Sequence, residues 1–189
     1  RGDRLAPWGL VSTLSALQQR AARTLLSYAP VLEPLATRFV DAGHELALVG
    51  GPVRDALLGR LAVEVGAGSG EEPQIDLDLT TDARPDRIVE LVRDWADTYW
   101  EIGREFGTIG CRKGRFTIEI TTYRADEYDG ETRKPVVAFG DSLEGDLARR
   151  DLTINAMAVR LPSLQFHDPF DGLADLAGDG HDGGGVEEG

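Results

Sequence analysis

Two aspartates one residue apart, Asp76 and Asp78, stand inside the apolar run "IDLDLTT" (75–81). Side chains of a strand alternate between its faces, so Ile75, Leu77 and Leu79 point one way and both aspartates the other. The two carboxylates then share one face, about 7 Å apart by the rise of two residues. Like charges so placed repel, and a cation between them relieves the repulsion. The same alternation recurs in "RFTIEITT" (115–122), where Phe116, Ile118 and Ile120 form the core side and Glu119 lies opposite with Thr117 and Thr121. If the two strands are neighbours, three carboxylates converge on one point. Oxygen donors without His or Cys favour Mg²⁺ or Mn²⁺ over zinc. Two such ions about 3.5–4 Å apart activate an attacking hydroxyl and stabilise a leaving pyrophosphate. Taken alone, an Asp-x-Asp is equally the pattern of a solvated strand face, and Glu119 by itself says less.

Two further stretches carry groups suited to phosphate. In "LVGGPVRDALLGR" (48–60) an apolar strand runs through Gly50 and Gly51 into a helix that Pro52 opens and Gly59 ends. A Gly-Gly junction is either a tight turn or a place where backbone amides approach a ligand. In "LARRDLTINAMAV" (147–159) Arg149, Arg150 and Asp151 lead into an apolar helix, with Asn155 four residues after Asp151. Arg54 and Arg150 are candidates to contact a triphosphate, because guanidinium forks match phosphate oxygens and keep their charge. An arginine pair at a helix boundary, a capping Asp151 and a helix-face Asn155 are the plainer readings of the same residues.

The elements that must position these groups alternate along the chain. Val31, Leu32, Leu35, Phe39 and Val40 predict a helix over 30–42, ended by Gly43. A buried strand follows over 45–49, then the Gly-Gly turn and its short helix. Next come a strand at 75–79, a helix at about 84–97 and a strand near 98–102. Residues 107–112 and 115–121 read as a hairpin joined through Lys113-Gly114. A polar segment runs from Arg124 to Asp141, and helical patterning from Leu143 to Ala158. Residues 159–161 and 164–166 form a closing hairpin around Pro162-Ser163. Hairpins and helical crossovers together predict an α/β domain with a mixed sheet.

Composition bounds the rest. The 189 residues are 41% hydrophobic, enough for one core, and contain neither a run of about 18 apolar residues nor a secretory signature. We read the chain as cytoplasmic, with no membrane partner. The lone Cys111 forms no internal disulfide and reads as a small strand residue. A formal charge of −13 argues against a general nucleic-acid-gripping surface. Three of the acids lie in 64–72 and four in 178–189, and without those seven the balance falls to −6. Both stretches are Gly-rich and aperiodic, so 63–74 reads as a flexible acidic insert and 178–189 as a disordered tail.

The order Gly-Gly-x-Val-Arg-Asp, then Asp-x-Asp, then Glu in "TIEITTYR", then Arg-Arg-Asp-x-Thr-Ile-Asn-Ala resembles the class II tRNA nucleotidyltransferases (CCA-adding enzymes) and the similar bacterial poly(A) polymerases. The resemblance covers about 30–177, through "HDPFDGLADLAG" (167–178), which is similar to the family's Asp-Pro-x-x-Gly-x-x-Asp-Leu segment. It implies a DNA polymerase β-like nucleotidyltransferase palm, with a mixed, mostly antiparallel sheet flanked by helices. Residues 30–177 would form this head domain, and 1–29 a helical N-terminal extension. By the same resemblance Asp76 and Asp78 hold the metal, Glu119 completes a catalytic acidic set, and Gly50, Gly51, Arg54, Arg150, Asp151 and Asn155 bind the nucleotide. Residues 127–140 occupy the place of the family's flexible loop, linked to the switch from adding C to adding A. The implied reaction is template-independent addition of CMP and AMP residues to the 3′ end of tRNA, with ATP and CTP as substrates and Mg²⁺ or Mn²⁺ as cofactor. The alternatives are poly(A) addition and a catalytically silent nucleotide-binding module of a larger assembly. Family members continue into helical neck, body and tail domains that select the base and grip tRNA, and no Glu-Asp-x-x-Arg neck motif occurs in this sequence.

Overall fold

The computed structural model describes residues 14–61, 73–125 and 138–178. The N-terminal residues 1–13, most of the acidic insert, most of the segment 127–140 and the tail beyond 178 lie outside the described residues.

Helix α1 (Ala16–Ser27) opens on a reciprocal cap: Ser15 Oγ accepts from Gln18 N at 3.2 Å, and the Gln18 side chain accepts from Ser15 N at 3.0 Å. Helix α2 (Ala29–Asp41) follows at once and turns Leu32, Leu35, Ala36 and Phe39 inward. Strand β1 (Leu46–Val49) then leads through Gly50 into α3 (Gly51–Leu58), with Pro52 in its first turn and Gly59 in the left-handed conformation at its end. Strand β2 (Ile75–Thr81), helix α4 (Pro85–Val92), strand β3 (Thr98–Trp100) and the hairpin β4 (Thr108–Lys113) and β5 (Phe116–Thr122) complete the middle of the chain. The short strands β6 (Arg124–Ala125) and β7 (Ala138–Phe139) pair with each other. Helix α5 (Leu143–Ala148), the hairpin β8 (Ala158–Arg160) and β9 (Gln165–His167), and helix α6 (Gly172–Gly178) end the described residues.

Among the described residues the main sheet has seven strands in the order β3-β4-β5-β2-β1-β8-β9. The β2–β5 pair is parallel and the other pairs are antiparallel, so the sheet is mixed and mostly antiparallel as expected. One face packs against α1 to α4 through Leu46, Leu48, Ile75, Leu77, Leu79, Ile118 and Ile120. Ala21, Leu25 and Tyr28, which precede residue 30, belong to this same core. The opposite face is only partly covered: Ala47, Val49 and Ala158 meet Leu143 and Leu147 of α5. Beyond that cover lie the polar positions of β2 and β5. No described helix is long and apolar enough to cross a membrane.

Three expectations on the elements are corrected. The helix predicted over 143–158 ends at Ala148; Leu152 is extended, Thr153–Asn155 is a single 3-10 turn, and Ala158 starts β8. The cause is burial on both sides: Ala156 to Val159 are all buried between the two cores, as an inner strand requires and an amphipathic helix does not. Helix α4 stops at Val92 instead of near residue 97, because Trp95 folds back into the core through the following turn. The β4–β5 turn is Gly114-Arg115, one residue later than read, since Gly114 supplies the positive φ of 58°.

Candidate active site

Strand β2 alternates buried and exposed through Ile75 to Asp78, which sets Asp76 and Asp78 side by side on the open face of the sheet. Its parallel neighbour β5 is in register, with Asp76 opposite Thr117 and Asp78 opposite Glu119. The neighbouring-strand condition therefore holds, and Asp78 and Glu119 are adjacent across the ladder. The convergence to a point does not hold. Among the described residues, no three or more His, Cys, Asp or Glu side chains gather closely enough to hold an ion. Alternate positions of one strand stand about 7 Å apart. None of the three forms an ion pair among the described residues.

That imbalance is felt at Asp78. Its carboxyl is held above its ordinary range, first because the cleft walls displace water from it although part of it stays exposed, and then because Glu119 lies beside it; Arg150 opposes the shift and Asp76 adds to it. An all-oxygen donor set of this kind, in which carboxylate repulsion outweighs the opposing Arg150 charge at Asp78, fits a divalent cation such as Mg²⁺ or Mn²⁺.

A cleft of about 300 Å³ opens over this face, lined by Val49, Asp78, Leu79, Thr121, Arg124, Arg149 and Arg150. The Gly-Gly turn directly follows Val49 of that lining. Gly50 has φ 71° and ψ −139°, a conformation glycine alone adopts readily, and a Cβ built there would lie 3.2 Å from Arg150 Nη1. Gly51 faces Arg54, whose Nη2 would lie in ordinary contact, 3.5 Å from its Cβ. Arg54 in turn donates from Nη1 to Asn155 Oδ1 at 3.1 Å and from Nε to Asp55 at 2.9 Å. Arg54 and Asn155, 101 residues apart, are thus locked together, and the first and last motifs meet at one end of β2.

The segment 167–178 explains how Asn155 is held. Asp168 accepts from Gly172 N at 2.8 Å and Leu173 N at 2.9 Å, capping α6. Gly172 lies against the Thr153 carbonyl, so close that a Cβ would fall 2.2 Å from that oxygen. Asp175 accepts from the Thr153 hydroxyl. The Asp, Gly and Asp of this segment therefore clamp the 3-10 turn that carries Asn155.

The described structure brings Arg150 into the cleft with Asp78 and sets Gly50 against Arg150, while Gly51, Arg54 and Asn155 meet one another outside the cleft lining. Asp76 and Glu119 share the same sheet face outside the cleft lining, and Asp151 is exposed with no ion pair among the described residues. The residue that holds the arginines is one the sequence reading missed. Asp146, 1% exposed, accepts from Arg150 Nη2 at 3.2 Å and Thr80 Oγ1 at 3.3 Å on one oxygen. Its other oxygen accepts from Arg124 N at 3.0 Å and from Arg149 at 3.2 and 3.3 Å. An acid three and four residues before the two arginines, on a helix, was the available signal. Arg124 was the other omission: its guanidinium is held below its ordinary range, first by loss of water, then by Arg149, with Asp146 opposing and Arg150 adding.

This topology is that of the DNA polymerase β-like nucleotidyltransferases. The chain belongs to the poly(A) polymerase head domain family, which matches residues 46–179. It is 40% identical to the CCA-adding enzyme of Bacillus pumilus over 127 residues, which are 67% of this chain and 28% of the relative. It is 38% identical to that of Streptococcus suis over 144 residues, 76% of this chain and 32% of the relative. Among solved structures it is similar to the Bacillus stearothermophilus CCA-adding enzyme in complex with CTP, with 28% identity and a TM-score of 0.57 over 87% of this chain and 32% of that one. A tRNA nucleotidyltransferase complexed with a primer tRNA and an incoming ATP analogue gives 31% identity and a TM-score of 0.54 over 76% of this chain and 36% of that one. The chain thus spans about a third or less of the length of these relatives.

Proposed function

We propose that this chain is the catalytic head of an RNA nucleotidyltransferase that adds CMP and AMP residues to the 3′ end of tRNA without a template. The observation that carries this reading is the meeting of Gly50, Arg54, Arg150 and Asn155 at one end of the strand bearing Asp76 and Asp78. It is supported by relatives named CCA-adding enzymes, one solved with CTP and another with primer tRNA and an ATP analogue.

In this reading the 3′-hydroxyl oxygen of the RNA bonds to the α-phosphorus of CTP or ATP. The bond from that phosphorus to the bridging oxygen breaks, pyrophosphate leaves, and the hydroxyl proton is released to solvent. Arg150 and Arg54 neutralise the β- and γ-phosphates as charge builds on the leaving group. Gly50, where a Cβ would crowd the Arg150 guanidinium, and Gly51 let the backbone approach the triphosphate, and the start of α3 turns its amides towards it. Asn155 fixes the Arg54 fork. Asp76 and Asp78, with Glu119 beside them, would hold Mg²⁺ or Mn²⁺, which when bound lowers the pKa of the attacking hydroxyl and screens the leaving oxygen. Residues 30–177 are the working head, placed in the cytoplasm, and segments outside this chain supply most of the grip on tRNA.

The test is incubation of the longer parent protein with CTP and ATP, using tRNA that lacks its terminal nucleotides and, separately, an unrelated RNA. Addition limited to CCA on tRNA is the expected result. Long A tails on either RNA would replace this reading with poly(A) addition.

A further inference from the structure

Three guanidiniums, those of Arg124, Arg149 and Arg150, line one wall of the cleft. Cations packed this closely disperse unless something holds them, and among the described residues one buried carboxylate does so. Asp146 is saturated: Arg150 and Thr80 occupy one oxygen, Arg149 and the Arg124 backbone amide the other. It ties β2, β6 and the end of α5 to one atom group. The arrangement still has two positive charges more than negative ones, facing the cleft beside Asp78. Arg150 Nε is buried without a partner among the described residues, while its Nη1 sits against Gly50. The guanidinium is therefore aimed by its ion pair with Asp146 on Nη2, and Nη1 occupies the space that the missing side chain of Gly50 leaves open.

We propose that Asp146 is a positioning residue for nucleotide binding, holding Arg150 against the Gly-Gly turn so that the fork is set before the triphosphate arrives. This rests on the nucleotidyltransferase reading and adds to it the group that prepares its phosphate subsite. A fork already fixed loses less rotamer entropy on binding than a free arginine does. The consequence falls on the phosphates and not on the base. Removing the Asp146 charge should weaken CTP, ATP and inorganic pyrophosphate alike.

The experiment uses the parent protein and its Asp146→Asn, Arg150→Ala and doubly substituted forms. Affinities for CTP, ATP and pyrophosphate are measured by calorimetric titration without RNA, and KM and kcat with tRNA. Asp146→Asn should raise all three dissociation constants and the nucleotide KM about tenfold, with kcat changed less. In the Arg150→Ala background the same substitution should change affinity less than twofold. A merely structural role would instead lower kcat in both backgrounds together with the thermal midpoint. Should Asp146→Asn not fold, side-chain nitrogen relaxation of the unsubstituted, nucleotide-free protein decides the point: Arg150 Nε–H must be as rigid as the backbone, and a mobile guanidinium overturns the proposal. A parent protein that adds CMP and AMP yet binds pyrophosphate equally well as Asp146→Asn overturns the proposal and leaves the function standing. One that binds no nucleotide at all overturns both.

Discussion

At the scale of single residues, Asp78 lines the cleft, and burial and then the neighbouring Glu119 raise its carboxyl above the ordinary range. Asp78→Ala should lower turnover by about 10²–10³ or more, while CTP affinity stays within a few-fold because Arg54 and Arg150 are untouched. Parallel kinetics and nucleotide titration check this, and unchanged turnover would refute the catalytic assignment. Cys111 gives the opposite case. Burial pushes its thiol up to about 12, so the native protein should resist iodoacetamide at pH 8 and react only when unfolded, as mass spectrometry would show. Asp76 and Asp78 were legible because strand alternation is local. Asp146 was not, because its burial is made by Thr80 and Arg124, 66 and 22 residues away, and an acid ahead of two arginines looks the same on any solvated helix.

At the scale of elements, the turns and clamps set the geometry that the motifs need. Gly50→Ala forces a side chain into φ 71° beside Arg150. It should cost about 1–3 kcal/mol of stability and weaken nucleotide binding as well, checked by urea unfolding and titration; lost stability with full nucleotide affinity would separate the turn from the phosphate subsite. Gly172→Ala drives a methyl into the Thr153 carbonyl, outside the cleft lining. Overpacking of this kind costs about 1–3 kcal/mol, and displacement of the Thr153–Asn155 turn should release Arg54 and raise the nucleotide KM. Stability lost with an unchanged KM would show that the clamp does not reach Asn155. The strand–turn–helix around Gly50 was readable from Pro52 and Gly59, each of which has a local backbone reason to be there. The residues 149–158 were misread because Leu, Ile, Ala, Met and Val at mixed spacing fit a helix, and only the presence of β1 and β9 on either side makes β8 a strand. Parallel pairing of β2 with β5, which sets Asp78 beside Glu119, is likewise a tertiary fact that no single stretch contains.

At the scale of the whole molecule, the sheet divides stability from function: one face buries the main core, and the other exposes carboxylates that repel one another. The Asp78 carboxyl lies above its ordinary 3.8, so the folded state holds that proton more tightly than the unfolded chain does. A group raised in this way contributes stability below its unfolded value and loses it as the pH rises through the folded one. At neutral pH, with metal removed, ionised Asp78 therefore opposes folding. Asp78→Asn should raise the thermal midpoint in EDTA by about 1–2 °C, because a partly exposed charge is screened to roughly 0.5 kcal/mol and a domain of this size shifts about 2–4 °C per kcal/mol. Millimolar Mg²⁺ should reverse the order, since a cation at 100 times its dissociation constant stabilises the wild type by about 2.7 kcal/mol and the variant by much less. Thermal unfolding of both proteins in EDTA and in MgCl₂ makes the comparison. A variant less stable than wild type in EDTA would mean that Asp78 supports the fold, and the strain attributed to the catalytic face would lie elsewhere.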